Sequence, residues 1–196
     1  MYQYPIIAPP FTLEFREMSK KELKAYCNWF IDQIPLRVAI LERTVKNTPG
    51  FEDWEMNYLP TSLDKLGEWF ALQAEKRERT EDEIQEAYNK LSGPFKDIHM
   101  ISKWELTNKT YSIAIDIGMY VSQVFLKTFP SLEWQFTLKG RKDHIDYGQP
   151  VLAGFGKMAF NPPQIMIVLA HGLVNKKRNK YRLRELYETW KKYIAD

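Results

Sequence analysis

Few residues in this 196-residue chain have the type and setting to do chemistry, and they are dispersed. Asp116 stands in the apolar run from Ile113 to Tyr120, one helical turn before Tyr120. A carboxylate among aromatic rings can keep its proton to higher pH and serve as an acid or a ligand anchor. Helical spacing argues for a plainer role, because it sets Asp116 with Ser112 and Gln123 on the polar side, facing solvent. His171 is the one strongly polar side chain within the apolar segment 165–174. A buried imidazole must find hydrogen-bond partners, and Asp116, Asp146 or a tyrosine can supply them. A satisfied core histidine is the commoner outcome than a catalyst. Gln164, His171 and Asn175 share a narrow stripe that can edge a cleft. Trp134, His144, Asp146 and Tyr147 would join it if the strands that carry them pack on that helix. The candidate binding set is therefore Asp116, Tyr120, Trp134, Asp146, Tyr147 and His171, in a cleft between a 108–127 helix, a hairpin and a 164–175 helix. No catalytic residue is assigned.

Other chemistries find less support. His99, His144 and His171 lie far apart in sequence, and none has a partner at ligand spacing on one helix face. No metal or cofactor is expected. Gly154-Phe155-Gly156-Lys157 lacks the rest of a phosphate-binding loop and reads as a turn. No G-x-S-x-G elbow is present. Cys27 is the only cysteine, on the apolar stripe of a predicted helix, so it reads as a small buried hydrophobe. A single cysteine forms no intramolecular disulfide, which fits a reducing compartment. There is no early apolar run after a basic start. The longest uninterrupted apolar run, Ile165 to Ala170, falls far short of the ~20 residues that span a bilayer. The expectation is a cytoplasmic protein with no membrane partner.

The net charge of +3 hides a split. Residues 1–100 carry 13 Lys+Arg against 17 Asp+Glu, and residues 101–196 carry 15 against 8. Either the halves attract one another or the basic half has an anionic partner. The basic excess peaks at Lys176, Lys177, Arg178, Lys180 and Arg182, followed by Arg184. Nucleic-acid binders add exposed aromatics or a groove-sized helix to such charge. Here the aromatics of the last helix fall on its apolar side, so a solvated helix start is the simpler reading and nucleic acid a minor one. Cations at a helix N-terminus oppose the macrodipole, which suggests that the flanking helices run on as one.

The elements that must position these residues follow from periodicity. Pro5, Pro9 and Pro10 forbid a helix at the start, and Phe11, Leu13 and Phe15 alternate with polar residues as an extended arm or edge strand. Ser19 and Glu22 form a capping box for a helix with Leu23, Tyr26, Cys27, Phe30, Ile31 and Ile34 on one face. Pro35 kinks it or begins a second helix, and Pro49-Gly50 stops it. Thr61 or Ser62 caps the next helix, with Leu63, Leu66 and Phe70. Thr80 and Glu83 cap another, which ends at Gly93-Pro94. Residues 94–106 read as loop, with a short turn of helix as the alternative. The longest helix spans 108–127. Leu132, Trp134, Phe136 and Leu138 then alternate as a strand, Gly140 to Asp143 turns, and Ile145 and Tyr147 form the second strand of a hairpin. Val151 to Phe155 adds an edge strand. Asn161-Pro162-Pro163 opens a helix apolar almost all round, which should be the buried centre of the second half. A last helix carries Leu183, Leu186, Tyr187, Trp190, Tyr193 and Ile194 on one side. The fold class is α+β, mostly α: one domain over 1–196, or two intimately packed halves, 1–93 helical and 106–196 α+β.

Several stretches taken together carry a resemblance. They are KKELKAYCNWFIDQIPLRVAILERTV, LPTSLDKLGEWF, YSIAIDIGMYVSQVF, LEWQF, IDYGQPVLAGF and NPPQIMIVLAHGL. The combination resembles an uncharacterised family of soluble bacterial proteins of low-GC Gram-positive type. The likeness covers most of the chain, implies a shared fold, and carries over no catalytic residue. The helix-then-Trp-strand arrangement is also similar to immunity modules that accompany bacterial toxin systems, which implies a protein partner. Six Trp, 11 Tyr and 11 Phe, residues favoured at interfaces, point the same way. The functional expectation is a non-enzymatic protein-interaction module, immunity-type in one version. The alternative is a small-ligand binder or enzyme using the cleft above. Oligomeric state is not assigned.

Overall fold

The computed structural model describes residues 3–90, 101–136, 138, 142 and 144–194. It is α+β and mostly helical, with two small antiparallel sheets among the described residues. Helix α1 (Lys20–Lys46) begins at the expected capping box: Ser19 Oγ accepts the Glu22 N–H and Glu22 Oε2 accepts the Ser19 N–H. Pro35 lies inside this one continuous helix and does not begin a second. Helix α2 (Ser62–Gln73) follows, but neither Thr61 nor Ser62 caps it. Thr61 sits in a helical conformation and makes no side-chain cap. Ser62 Oγ instead donates to the Leu59 carbonyl and meets the Tyr120 hydroxyl.

Strand β1 (Lys76–Glu78) precedes α3 (Glu81–Lys90), capped by Thr80 and Glu83 as the sequence indicates. Strand β2 (Trp104–Leu106) pairs with β1, so the end of the segment read as loop is extended ladder. The expected stop at Gly93-Pro94 lies outside the described residues. Helix α4 (Asn108–Thr128) is the axis of the fold, packed against α1, α2 and α5. Most of its 21 residues are buried, including the supposedly wet Ser112 and Asp116.

The second sheet corrects the hairpin. Strand β3 (Glu133–Phe136) pairs with β4 (Pro150–Phe155), which pairs in turn with β5 (Met158–Phe160). The segment expected at the edge is thus the central strand. Ile145 and Tyr147 lie in a turn, closed by Tyr147 N–H to the His144 carbonyl at 3.0 Å. Of the predicted turn at 140–143, only Lys142 falls within the described residues. The described residues before Ser19, 3–18, form an arm and no strand.

Helix α5 (Pro162–Val174) starts at Asn161, whose side chain accepts the Gln164 N–H. It is buried on one side only, through Pro162, Met166, Leu169 and Ala170, and α4 takes the central place expected for it. Helix α6 (Arg182–Lys191) is separate from α5. The chain turns between them, with Lys176 at φ 55 in the left-handed region. The larger core cluster runs from Tyr4 and Phe30 through Trp69, Tyr120 and Phe125 to Tyr187. A smaller one gathers Met18, Leu23, Tyr26, Cys27 and Tyr147.

Candidate functional site

The six residues singled out by sequence do not converge. Tyr120 is buried against Trp54 and Tyr58, and its hydroxyl meets Ser62 Oγ at 2.7 Å. Trp134 packs edge-on against Phe30 of α1. Asp146 accepts a hydrogen bond from Asn161 Nδ2 at 2.8 Å. Tyr147 is buried in the small cluster around Cys27. His171 lies against Trp104 of β2, with ring centroids 5.4 Å apart. Burial and then the charge of Arg79 hold its pKa below the ordinary value. Between α4 and α5 there is no room for the expected cleft at Gly118. A Cβ there would meet the Pro162 backbone at 2.8 Å, so the helices touch backbone to backbone.

Asp116 is the largest correction. Its carboxylate is fully buried and forked by Arg37, Nε to Oδ1 at 2.8 Å and Nη2 to Oδ2 at 2.7 Å. Tyr4 of the N-terminal arm donates its hydroxyl to the same carboxylate. Arg37 Nη2 also donates to the Pro5 carbonyl at 2.9 Å, and Ile7 N–H donates to Ser112 Oγ at 3.0 Å. The arm therefore lies as a cover over the polar stripe of α4. Burial pushes the Asp116 carboxyl up to about 6, while the Arg37 hydrogen bonds and charge, and the Tyr4 hydroxyl, pull the other way. Both carboxylate oxygens of Asp116 and the Nε and Nη2 groups of Arg37 are hydrogen-bonded, so the cluster acts as a joint between arm, α1 and α4. Sequence reading missed Arg37, yet a signal was present. Arg37 falls on the apolar stripe with Ile34, Val38 and Leu41, and a guanidinium there requires a buried carboxylate.

The basic residues have a different setting. Lys176, Lys177 and Arg178 follow the C-terminus of α5, where the helix dipole favours cations. The opposition expected from a helix N-terminus applies only to Arg182 and Arg184, and each has a carboxylate: Arg182 pairs with Glu185 at 3.3 Å and Arg184 with Glu188 at 3.0 Å. Lys180 crosses to Glu68 of α2 at 2.8 Å, joining the basic half to the acidic one. Among the described residues, Lys176, Lys177 and Arg178 have no ion pair.

Beside these cations runs a groove of about 220 Å³ between α5 and α6. Two glycines explain it. Gly118 seats α5 on α4, and Gly67 seats α6 on α2, where an added Cβ would strike the Lys180 carbonyl and Leu183. The two helices are thereby held to different neighbours and stand apart from each other. Ile165, Val168 and Leu169 form one wall, and Leu186 and Trp190 the other. Val168 is 61% exposed. Arg178 and Arg182 close the end nearest the α5–α6 turn, with the Arg178 stem folded over Gly172. A shallower depression of about 420 Å³ lies between arm residues 13–17 and the 144–149 turn. Its walls mix Glu14 and Glu17 with Arg16 and Lys142, and Lys142 Nζ is taken by the Arg16 carbonyl at 2.8 Å.

Among the described residues, no group of three or more His, Cys, Asp or Glu can hold a metal, and no helix is long and apolar enough to cross a membrane. Cys27 is buried beside the Gly148 carbonyl, and burial pushes its thiol up to about 12, far from a reactive thiolate. The chain matches no family model, no curated protein and no solved structure.

Proposed function

We propose that this chain is a non-enzymatic protein-interaction module that docks its partner on the α5–α6 face. One observation carries the reading: an open apolar groove reaches Arg178, a cation with no ion pair among the described residues and next in sequence to the exposed Lys176 and Lys177. Apolar walls with a charged rim are how interfaces combine affinity with orientation. The charge fixes the partner's chemistry as apolar side chains with carboxylates at one end. Nucleic acid fits less well, because Trp190, the one aromatic that lines the groove, is already packed against Phe155 and Phe160. A toxin-neutralising role of the immunity type is one form of such a module, and a reducing cytoplasm suits the single buried Cys27.

The test is a titration of the full chain with a helical peptide bearing leucines at i, i+3 and i+4 and glutamates at its N-terminal end. The indole N–H of Trp190 and the methyls of Val168 are the reporters by NMR. Both move for the acidic peptide, and neither moves when its glutamates are replaced by lysine. Signals that stay still for both peptides, or that respond equally to both, overturn the reading.

A further inference from the structure

We propose that the α5–α6 groove binds an alkyl carboxylate, with Arg178 gripping the head group and Gly172 setting Arg178 in place. The inference rests on the docking reading above and adds a small anionic ligand that regulates the same face by competing for it. The groove is laid down at helical spacing. Ile165, Val168 and Leu169 lie on the side of α5 that continues to Gly172, and Arg182, Leu186 and Trp190 lie on one side of α6. This surface is not taken up within the molecule. Val168 is exposed, and the Arg178 side chain has no hydrogen bond or ion pair among the described residues. Arg182 is already drawn to Glu185, so the free charge at that end of the groove is Arg178.

The end of α5 builds the position of Arg178. Lys176 takes left-handed backbone, its N–H donates to the Leu173 carbonyl at 2.9 Å, and the Lys177 N–H donates to the Gly172 carbonyl at 2.9 Å. These two bonds are a Schellman closure, which folds the backbone back along the helix. The Arg178 N–H then donates to the same Gly172 carbonyl at 3.1 Å. Its side-chain stem fills the place that a Cβ of residue 172 would take, so glycine there leaves room for it. The guanidinium is thus held at the mouth of an apolar trough, and its planar fork of N–H donors matches a carboxylate. From Gly172 back to Ile165 the helix runs about 10 Å, at 1.5 Å per residue. An extended backbone advances about 1.2 Å per bond, so that length takes a tail of about eight carbons. At about 220 Å³ the groove is smaller than the roughly 300 Å³ at which drug-sized pockets begin, which favours one narrow tail.

Octanoate titrated into the full chain tests this, with the Trp190 indole N–H and the Val168 methyls as NMR reporters. Octanol carries the same tail without the charge, and octylammonium reverses the charge. The expected result is that octanoate shifts both reporters, binds at least about fivefold tighter than octanol and displaces the acidic peptide, while octylammonium binds more weakly than either. Arg178→Gln and Gly172→Ala each bring octanoate down to the affinity of octanol and leave octanol unchanged, a split that a general loosening of the fold does not produce. The methyl added at residue 172 meets a flexible side chain, so that variant keeps its fold and all its charges. An octanoate affinity no better than that of octanol or octylammonium overturns the proposal, as does an Arg178→Gln chain that binds octanoate as the wild type does. A Gly172→Ala chain with wild-type affinity for octanoate overturns the positioning role. If octanoate leaves the reporters still while the acidic peptide shifts Trp190, the ligand proposal alone falls. If the peptide also fails, the docking reading falls with it.

Discussion

Charge is handled in opposite ways at the two ends of this molecule. At the seam of α1 and α4, Arg37 and Asp116 are buried, forked together and covered by Tyr4 of the arm. At the α5–α6 face, Lys176, Lys177 and Arg178 are exposed, clustered and left without carboxylates among the described residues. Burying a pair is costly unless both ions are fully satisfied, so the seam is held to one geometry. Leaving like charges together costs little in water but keeps a positive field available to a partner. The contrast separates a structural joint from a candidate working surface. Neither could be told from the other by residue type.

The comparison can be broken most forcefully at the seam. Asp116→Ala leaves a buried guanidinium unpaired and should cost about 3–5 kcal/mol in urea unfolding. The double change Arg37→Met with Asp116→Leu should cost much less than either single change, since it removes both charges together. A double variant that loses the sum of the singles would show that the pair is not coupled. The helix seats come next. Gly67→Ala forces a methyl into the Lys180 carbonyl and should cost about 1–3 kcal/mol by overpacking.

The seam also has a pH signature. Asp116 holds its proton to about 6 in the folded chain against an ordinary 3.8. Between those values the folded state binds more protons than the unfolded state, so the stability due to this group declines as pH rises from about 4 to about 6. The advantage of the wild type over Asp116→Asn should therefore be larger at pH 4 than at pH 7, as read from urea midpoints. An advantage that grows with pH would contradict the assignment. Smallest of all is the effect of Lys176→Glu with Lys177→Glu on stability, expected below about 1 kcal/mol because the sites are exposed and only the dipole at the end of α5 opposes the new charges.

Much of the helical scaffold was legible. Local rules set the capping box at Ser19, the 108–128 helix and the Asn161 start, and local rules are what a sequence displays. The errors share a cause in long-range pairing. β3 pairs with Pro150–Phe155 because Val151 and Leu152 complete the core, while Ile145 is left exposed, and alternation alone does not tell which apolar run is the partner. The β1–β2 ladder is three residues a side, too short to show a period. The polar stripe argues for a wet Asp116, and what covers it is an arm more than 100 positions earlier in the chain. The basic cluster was visible as composition. Its neighbouring groove was not, since it arises from two glycines that bind α5 and α6 to different helices.

The central claim is that the cations beside the groove serve binding and not folding. It is tested most directly by titrating the acidic amphipathic peptide into the Lys176→Glu, Lys177→Glu chain by calorimetry, beside the wild type. The account predicts affinity at least tenfold weaker in a variant whose unfolding stability falls by less than about 1 kcal/mol. Affinity equal to the wild type would contradict it.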